Sequence, residues 1–160
     1  MKQLFVFLFL CISQFVMAQT KPLNTLLKNY LNLKNELVGG NAVNSIKMAS
    51  AFNASLEATN AKSMDETTWK LYAPIKEKLV TSVQALLKEQ TIAKQREVFA
   101  DLSEQMIQLA KTTSLSDTEL YVDYCPMKKA SWLSAEKTIR NPYYGNMMLT
   151  CGSVKETIKQ

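Results

Sequence analysis

The chain predicts an all-α fold: an antiparallel four-helix bundle closed by an irregular C-terminal cap. Three observations predict it. Apolar residues recur at three- and four-residue spacing over four segments between residues 22 and 113. Only a few polar or glycine residues separate these segments, and short connections make helix neighbours antiparallel. Past residue 113 the periodicity stops, and β-branched, aromatic, proline and glycine residues take over.

The first segment carries Leu23, Leu26, Leu27, Tyr30, Leu31 and Leu37 on one stripe. Gly39-Gly40 then supplies a C-terminal stop, because glycine enters the left-handed conformation at little cost. Asn41 can cap the second helix, whose stripe is Val43, Ile46, Ala49, Phe52 and Leu56. Asn60 to Asp65 reads as a turn, with Ser63 or Asp65 as the next N-cap. The third stripe is Trp69, Tyr72, Ile75, Leu79, Val83, Leu86 and Leu87. Pro74 lies inside it and predicts a kink near Ala73, or a break there, because proline removes a helix hydrogen bond and crowds the preceding turn. The fourth stripe, Ile92, Phe99, Leu102, Met106, Leu109 and Ala110, starts at Thr91 and ends at Thr112-Thr113-Ser114.

Residues 120–154 form the predicted cap. Leu120 to Tyr124 suits extended chain. Ser131 to Glu136 is read as a helical turn, with Ser134 as a cap for Lys137 and its neighbours. Asn141-Pro142-Tyr143-Tyr144-Gly145 is read as a turn.

The N-terminus reads as a signal peptide over residues 1–18. Lys2 is its basic start, Leu4 to Val16 its apolar run, and Val16-Met17-Ala18 its cleavage site. Cys11 leaves with it. Residues 19–160 then make a single exported domain, periplasmic or secreted, with no further membrane span. The formal charge is +5, or +4 without Lys2, and the lysines are spread among acids and amides. That pattern predicts a solvated surface and no nucleic-acid partner.

The chain has no histidine, which removes the usual hydrolase base and the commonest borderline metal ligand. Two cysteines remain after residue 18, each a few residues from a methionine, in Cys125-Pro126-Met127 and Met148-Leu149-Thr150-Cys151. Thiolate and thioether are soft donors that favour Cu(I). If the turn at 141–145 folds the two segments together, the sulfurs of Cys125, Met127, Met148 and Cys151 can converge, with Met147 as a substitute. A Cys125–Cys151 disulfide is the competing reading, stabilising by about 3 kcal/mol in the chain-entropy model and leaving the methionines as packing. Zinc fits less well: two thiolates and no imidazole leave only Asp123 as a third donor. A thiol oxidoreductase would more often bring its cysteines as a close pair in sequence. No phosphate loop, nucleophile elbow or metalloprotease motif is present. Trp69, Tyr72 and Phe99 read as core, Arg96 and Glu97 as solvated or paired residues on the polar face of the fourth helix.

Several stretches together resemble one secreted bacterial family, domain of unknown function 3347. They are Cys125-Pro126-Met127, Trp132-Leu133-Ser134, Ile139 to Gly145, and Met148 to Val154, with Leu31 to Val38 and Gln95 to Phe99 upstream. Members of that family stand alone as exported proteins or are fused to adaptor subunits of heavy-metal efflux systems. The resemblance therefore implies copper handling, heavy-metal efflux components as partners, and Cys125, Met127, Met148 and Cys151 as the matched metal-ligand positions. Relatives often carry a histidine before the first cysteine, where this chain has Tyr124. The expected function is non-enzymatic binding of Cu(I), or of Ag(I), which shares its softness, as a chaperone, buffer or efflux accessory. The alternative is a structural or interaction module pinned by the disulfide.

Overall fold

The computed structural model describes residues 22–159. The signal-peptide reading lies outside them. Four helices come first: α1 (Pro22–Gly39), α2 (Ala42–Ala58), α3 (Glu66–Leu87) and α4 (Ile92–Thr112). Three strands follow: β1 (Leu120–Cys125), β2 (Ala130–Ser134) and β3 (Ser153–Ile158). The fold is mostly helical with a strand cap.

The helix ends follow from their punctuation. At the end of α1, Gly40 takes φ +76°, its N–H reaches the Leu37 carbonyl, and the Asn41 N–H reaches Glu36. This pair of bonds is the Schellman arrangement, which glycine enters without steric cost. Asn41, Asp65 and Thr91 each accept a backbone N–H three residues on, capping α2, α3 and α4. Sequential helices pack on one another, and α1 and α2 also meet α4. The buried faces of α1, α3 and α4 carry most of the predicted stripes, although α1 also buries Leu33, Lys34 and Val38 and leaves Leu31 half-buried, and α2 departs further. There Val43 is 69% exposed, while Ser45 and Ser55 are buried and donate to the carbonyls of the N-cap Asn41 and of Phe52.

Pro74 does not break α3, which excludes the break, one of the two expected outcomes. It sits on the exposed side of the helix, so water can satisfy the carbonyl that proline leaves unpaired one turn back.

The cap is built on a three-stranded antiparallel sheet in the order β2-β1-β3, so the all-α expectation is corrected, while residues 135–152 between β2 and β3 are irregular apart from one short 3-10 turn at Gly145–Met147. Cys125 pairs with Ala130 across a four-residue turn, with Lys129 at φ +56°. The helical turn expected at 131–136 is strand β2 instead. Trp132 and Leu133 bury fully when they pair with Asp123 and Val122. Ser134 Oγ closes a tight local turn by bonding both the N–H and the carbonyl of Glu136. On its other side β1 pairs with β3, with a register shift at Val122/Asp123.

The open edge of β2 is closed by tyrosines. The Leu133 N–H donates to Tyr30 Oη on α1 (3.0 Å), and Tyr143 Oη donates to the Ser131 carbonyl. Tyr30 also shares a hydrogen bond with Ser103 of α4 and stacks on Phe99. One phenol thus ties α1, α4 and the sheet together. Replacing Tyr30 by phenylalanine should cost about 1–3 kcal/mol in a urea melt, because the buried Leu133 N–H loses its partner. A cost below about 0.5 kcal/mol would mean that water reaches that edge.

Candidate metal centre

Cys125 ends β1 and is fully buried; Cys151 lies just ahead of β3 and is half-buried. Both are free thiols, and their sulfurs are 4.0 Å apart. The chain between them is held by one fully buried side chain, Asn141. Its Oδ1 accepts the N–H groups of Tyr143 (2.8 Å) and Tyr144 (3.3 Å), and its Nδ2 donates to the Cys151 carbonyl (2.7 Å). Its backbone N–H bonds the Leu149 carbonyl. Asparagine suits this position because its short amide can mimic a backbone turn while still donating elsewhere.

Two glycines let the loop come close. Gly145 takes φ +54° beside the end of α1, where Arg96 donates to the Leu37 carbonyl through Nε (3.1 Å) and Nη2 (2.7 Å). Arg96 is therefore not a solvated surface charge: it caps the C-terminus of α1, where a cation meets the negative end of the helix dipole. At Gly152, φ is +148° and a Cβ would stand 2.9 Å from the Tyr124 carbonyl and 3.0 Å from the Trp132 ring. Trp132 meets Tyr143 edge to face at 5.8 Å, and Tyr143 meets Phe99. The cysteine of the loop is thus laid against the cysteine of the strand by packing on both sides.

The methionines are placed differently. Met127 lies in the β1–β2 turn and is 62% exposed. Met148 is half-buried, and its carbonyl accepts the Cys151 N–H (3.0 Å), which makes 148–151 a single turn. Met147 is 77% exposed.

Burial, together with the hydrogen bond and field of Cys125, raises the Cys151 thiol above its ordinary pKa. Asp123 is fully buried beside its cross-strand neighbour Trp132, and neither its carboxylate oxygens nor the indole Nε1 has a protein partner. Desolvation raises its pKa to about 7, while Lys34, itself buried, pulls the other way. Desolvation lowers the pKa of Lys34. Among the described residues no three His, Cys, Asp or Glu side chains share a position for one ion. Asp123 therefore does not complete a zinc site, and a metal held by the thiols would need thioether or solvent as further ligand.

Sequence reasoning reached the two thiols but missed Asn141, Arg96, Lys34 and the two glycine contacts. The Asx-turn tendency of Asn141 was a usable signal. Arg96 and Lys34 carried none, since helical position alone does not tell a solvated cation from one laid on a helix end or against a sheet.

A family model described as "Protein of unknown function (DUF3347)" matches residues 26–118. The match covers all but the first turn of α1 and the whole of α2 to α4, and it ends before β1. Neither a curated protein nor a solved structure matches the chain.

Proposed function

The chain belongs to the DUF3347 family, and since that description carries no activity, we propose a function from the thiol pair. The protein is an exported, non-enzymatic binder of Cu(I), acting as a chaperone, buffer or accessory to heavy-metal efflux components. Its helices serve as an antiparallel four-helix scaffold for the sulfur-bearing sheet. Cys125 and Cys151 are the anchoring ligands, with Met148 and Met127 supplying thioether.

The observation that carries this reading is the 4.0 Å separation of two free thiol sulfurs, one from the end of β1 and one from the turn ahead of β3. With metal–sulfur bonds of about 2.3 Å, that separation subtends roughly 120° at a shared ion. Such an angle suits a three-coordinate ion with one further soft ligand. Met148, one turn from Cys151, is the nearer candidate in the chain; Met127, on its exposed turn, would have to fold inward. The same separation also favours the second reading, a disulfide-pinned interaction module, because bonding distance is only about 2 Å closer.

A Cu(I) competition titration on reduced protein tests the proposal. One ion per chain should bind, and the double variant Cys125→Ser/Cys151→Ser should retain none. Met148→Leu should weaken binding by about tenfold or more, equivalent to roughly 1.4 kcal/mol. If reduced protein holds no Cu(I), or if Cys125→Ser and Met127→Leu both leave the affinity unchanged, the site is wrong as drawn.

A further inference from the structure

The two thiols are close but unequally reachable. Cys125 is closed off at the end of β1, whereas Cys151 is half-buried on a loop. We infer that Cys151 is an exchange site for low-molecular-weight disulfides, and that Cys125 resolves the adduct into an internal disulfide that withdraws both sulfurs from a soft cation.

The steps balance. The Cys151 sulfur, its proton given to solvent, attacks one sulfur of a small disulfide RS–SR. The RS–SR bond breaks, and one RS⁻ leaves and takes up a proton. The Cys125 sulfur, 4.0 Å away, then loses its proton and attacks Cys151 within the mixed disulfide. The Cys151–SR bond breaks and the second RSH departs. The protein dithiol has lost two electrons and two protons, and RS–SR has become two RSH.

Three features fit this order. Exchange requires an attacking sulfur that solvent can reach, and of the two residues Cys151 is part-exposed while Cys125 has no exposed surface. Resolution is then intramolecular, between groups already placed, and outruns escape of the adduct. The movement needed falls on the 148–151 turn, outside the β1 ladder, so the sheet does not have to open. The gating half of the inference rests on the Cu(I) reading; the exchange order does not.

The test uses oxidised glutathione and intact-protein mass measurement. Wild type should lose two hydrogens with no lasting adduct. Cys125→Ser should keep one glutathione per chain. Cys151→Ser should react about tenfold more slowly or worse, since its thiol waits for the core to open. As a check that needs no variant, wild type quenched early with acid should carry the adduct on the peptide containing Cys151. An early adduct on Cys125, or equal rates for the two variants, overturns the order. Oxidised wild type should then take up no Cu(I). Uptake equal to that of the reduced protein overturns the gating while leaving the exchange intact. Failure of the reduced protein to bind Cu(I) removes the gating together with the function proposed above, and again leaves the exchange order standing on its mass data.

Discussion

Gly145→Ala is expected to destabilise the reduced protein by about 3–5 kcal/mol, read from the shift in a urea or thermal transition. Three costs combine. The residue takes φ +54°, where an L side chain costs about 1–2 kcal/mol. The new Cβ would stand 2.7 Å from the Val38 carbonyl oxygen, a backbone atom at the end of α1 that cannot swing aside. It would also collide with Arg96 Nη2, and moving that guanidinium gives up its hydrogen bonds to the Leu37 carbonyl, worth about 1.5–3 kcal/mol for a charged donor. The expected range allows for partial relaxation. The effect should extend beyond stability. The loop from 141 to 151 is fastened at Gly145 and at Asn141, so loosening one end should raise the alkylation rate of the buried Cys125. A loss under about 1 kcal/mol would show that the loop does not press on α1. For contrast, Gly39→Ala meets nothing within 4 Å and should be neutral or slightly stabilising.

The contrast between these two glycines shows where sequence reasoning reached and where it stopped. The helices were legible because their signals are local. The Leu23 to Leu37 stripe, the Gly39-Gly40 stop and the caps at Asn41, Asp65 and Thr91 act within a turn or two of themselves. The break considered at Pro74 did not occur, and the fact that bears on it, which side of the helix faces water, is one a sequence withholds. The tail was harder because its structure is made by distant partners. Ser131 to Ser134 has no strong preference alone; it becomes strand β2 because β1 stands beside it and Tyr30 and Tyr143 take up its edge groups. β3 escaped notice because three consecutive exposed residues, Lys155, Glu156 and Thr157, separate Val154 from Ile158, so no period-two alternation is there to read and the strand gains meaning only beside β1. The approach of Cys125 to Cys151 was legible, since two cysteines flanking a turn-rich tract have few places to go. The glycine contacts and the Asn141 bonds that enforce it were not, because each joins residues that sequence spacing does not relate.

Asp123 should give the reduced, metal-free protein an unusual pH dependence. Its folded pKa of about 7 lies above the ordinary 3.8, so between those values the folded state holds a proton that the unfolded chain has released. Stability therefore falls as pH rises across that window, by up to ~4 kcal/mol in total and about 2–3 kcal/mol between pH 5 and pH 8. Ordinary paired carboxylates slope the other way. The cause is geometric: two carboxylate oxygens in the interior, opposite Trp132 and without a hydrogen-bond donor, favour the neutral acid. Lys34 softens the penalty through its charge, and its own lowered pKa gives stability a rising limb on the alkaline side. The two buried groups together place a trough in the curve between them. Asp123→Asn keeps the shape of the neutral acid and abolishes its titration. The variant should exceed wild type by about 1.5–2 kcal/mol at pH 5 and by roughly 4 kcal/mol at pH 8, a gap that widens by about 2–3 kcal/mol over that range, in urea melts that stay below the thiol range. Wild type and variant curves running parallel from pH 5 to 8 would mean that the carboxylate is solvated or paired in solution, and that Lys34 is held in the core by something else.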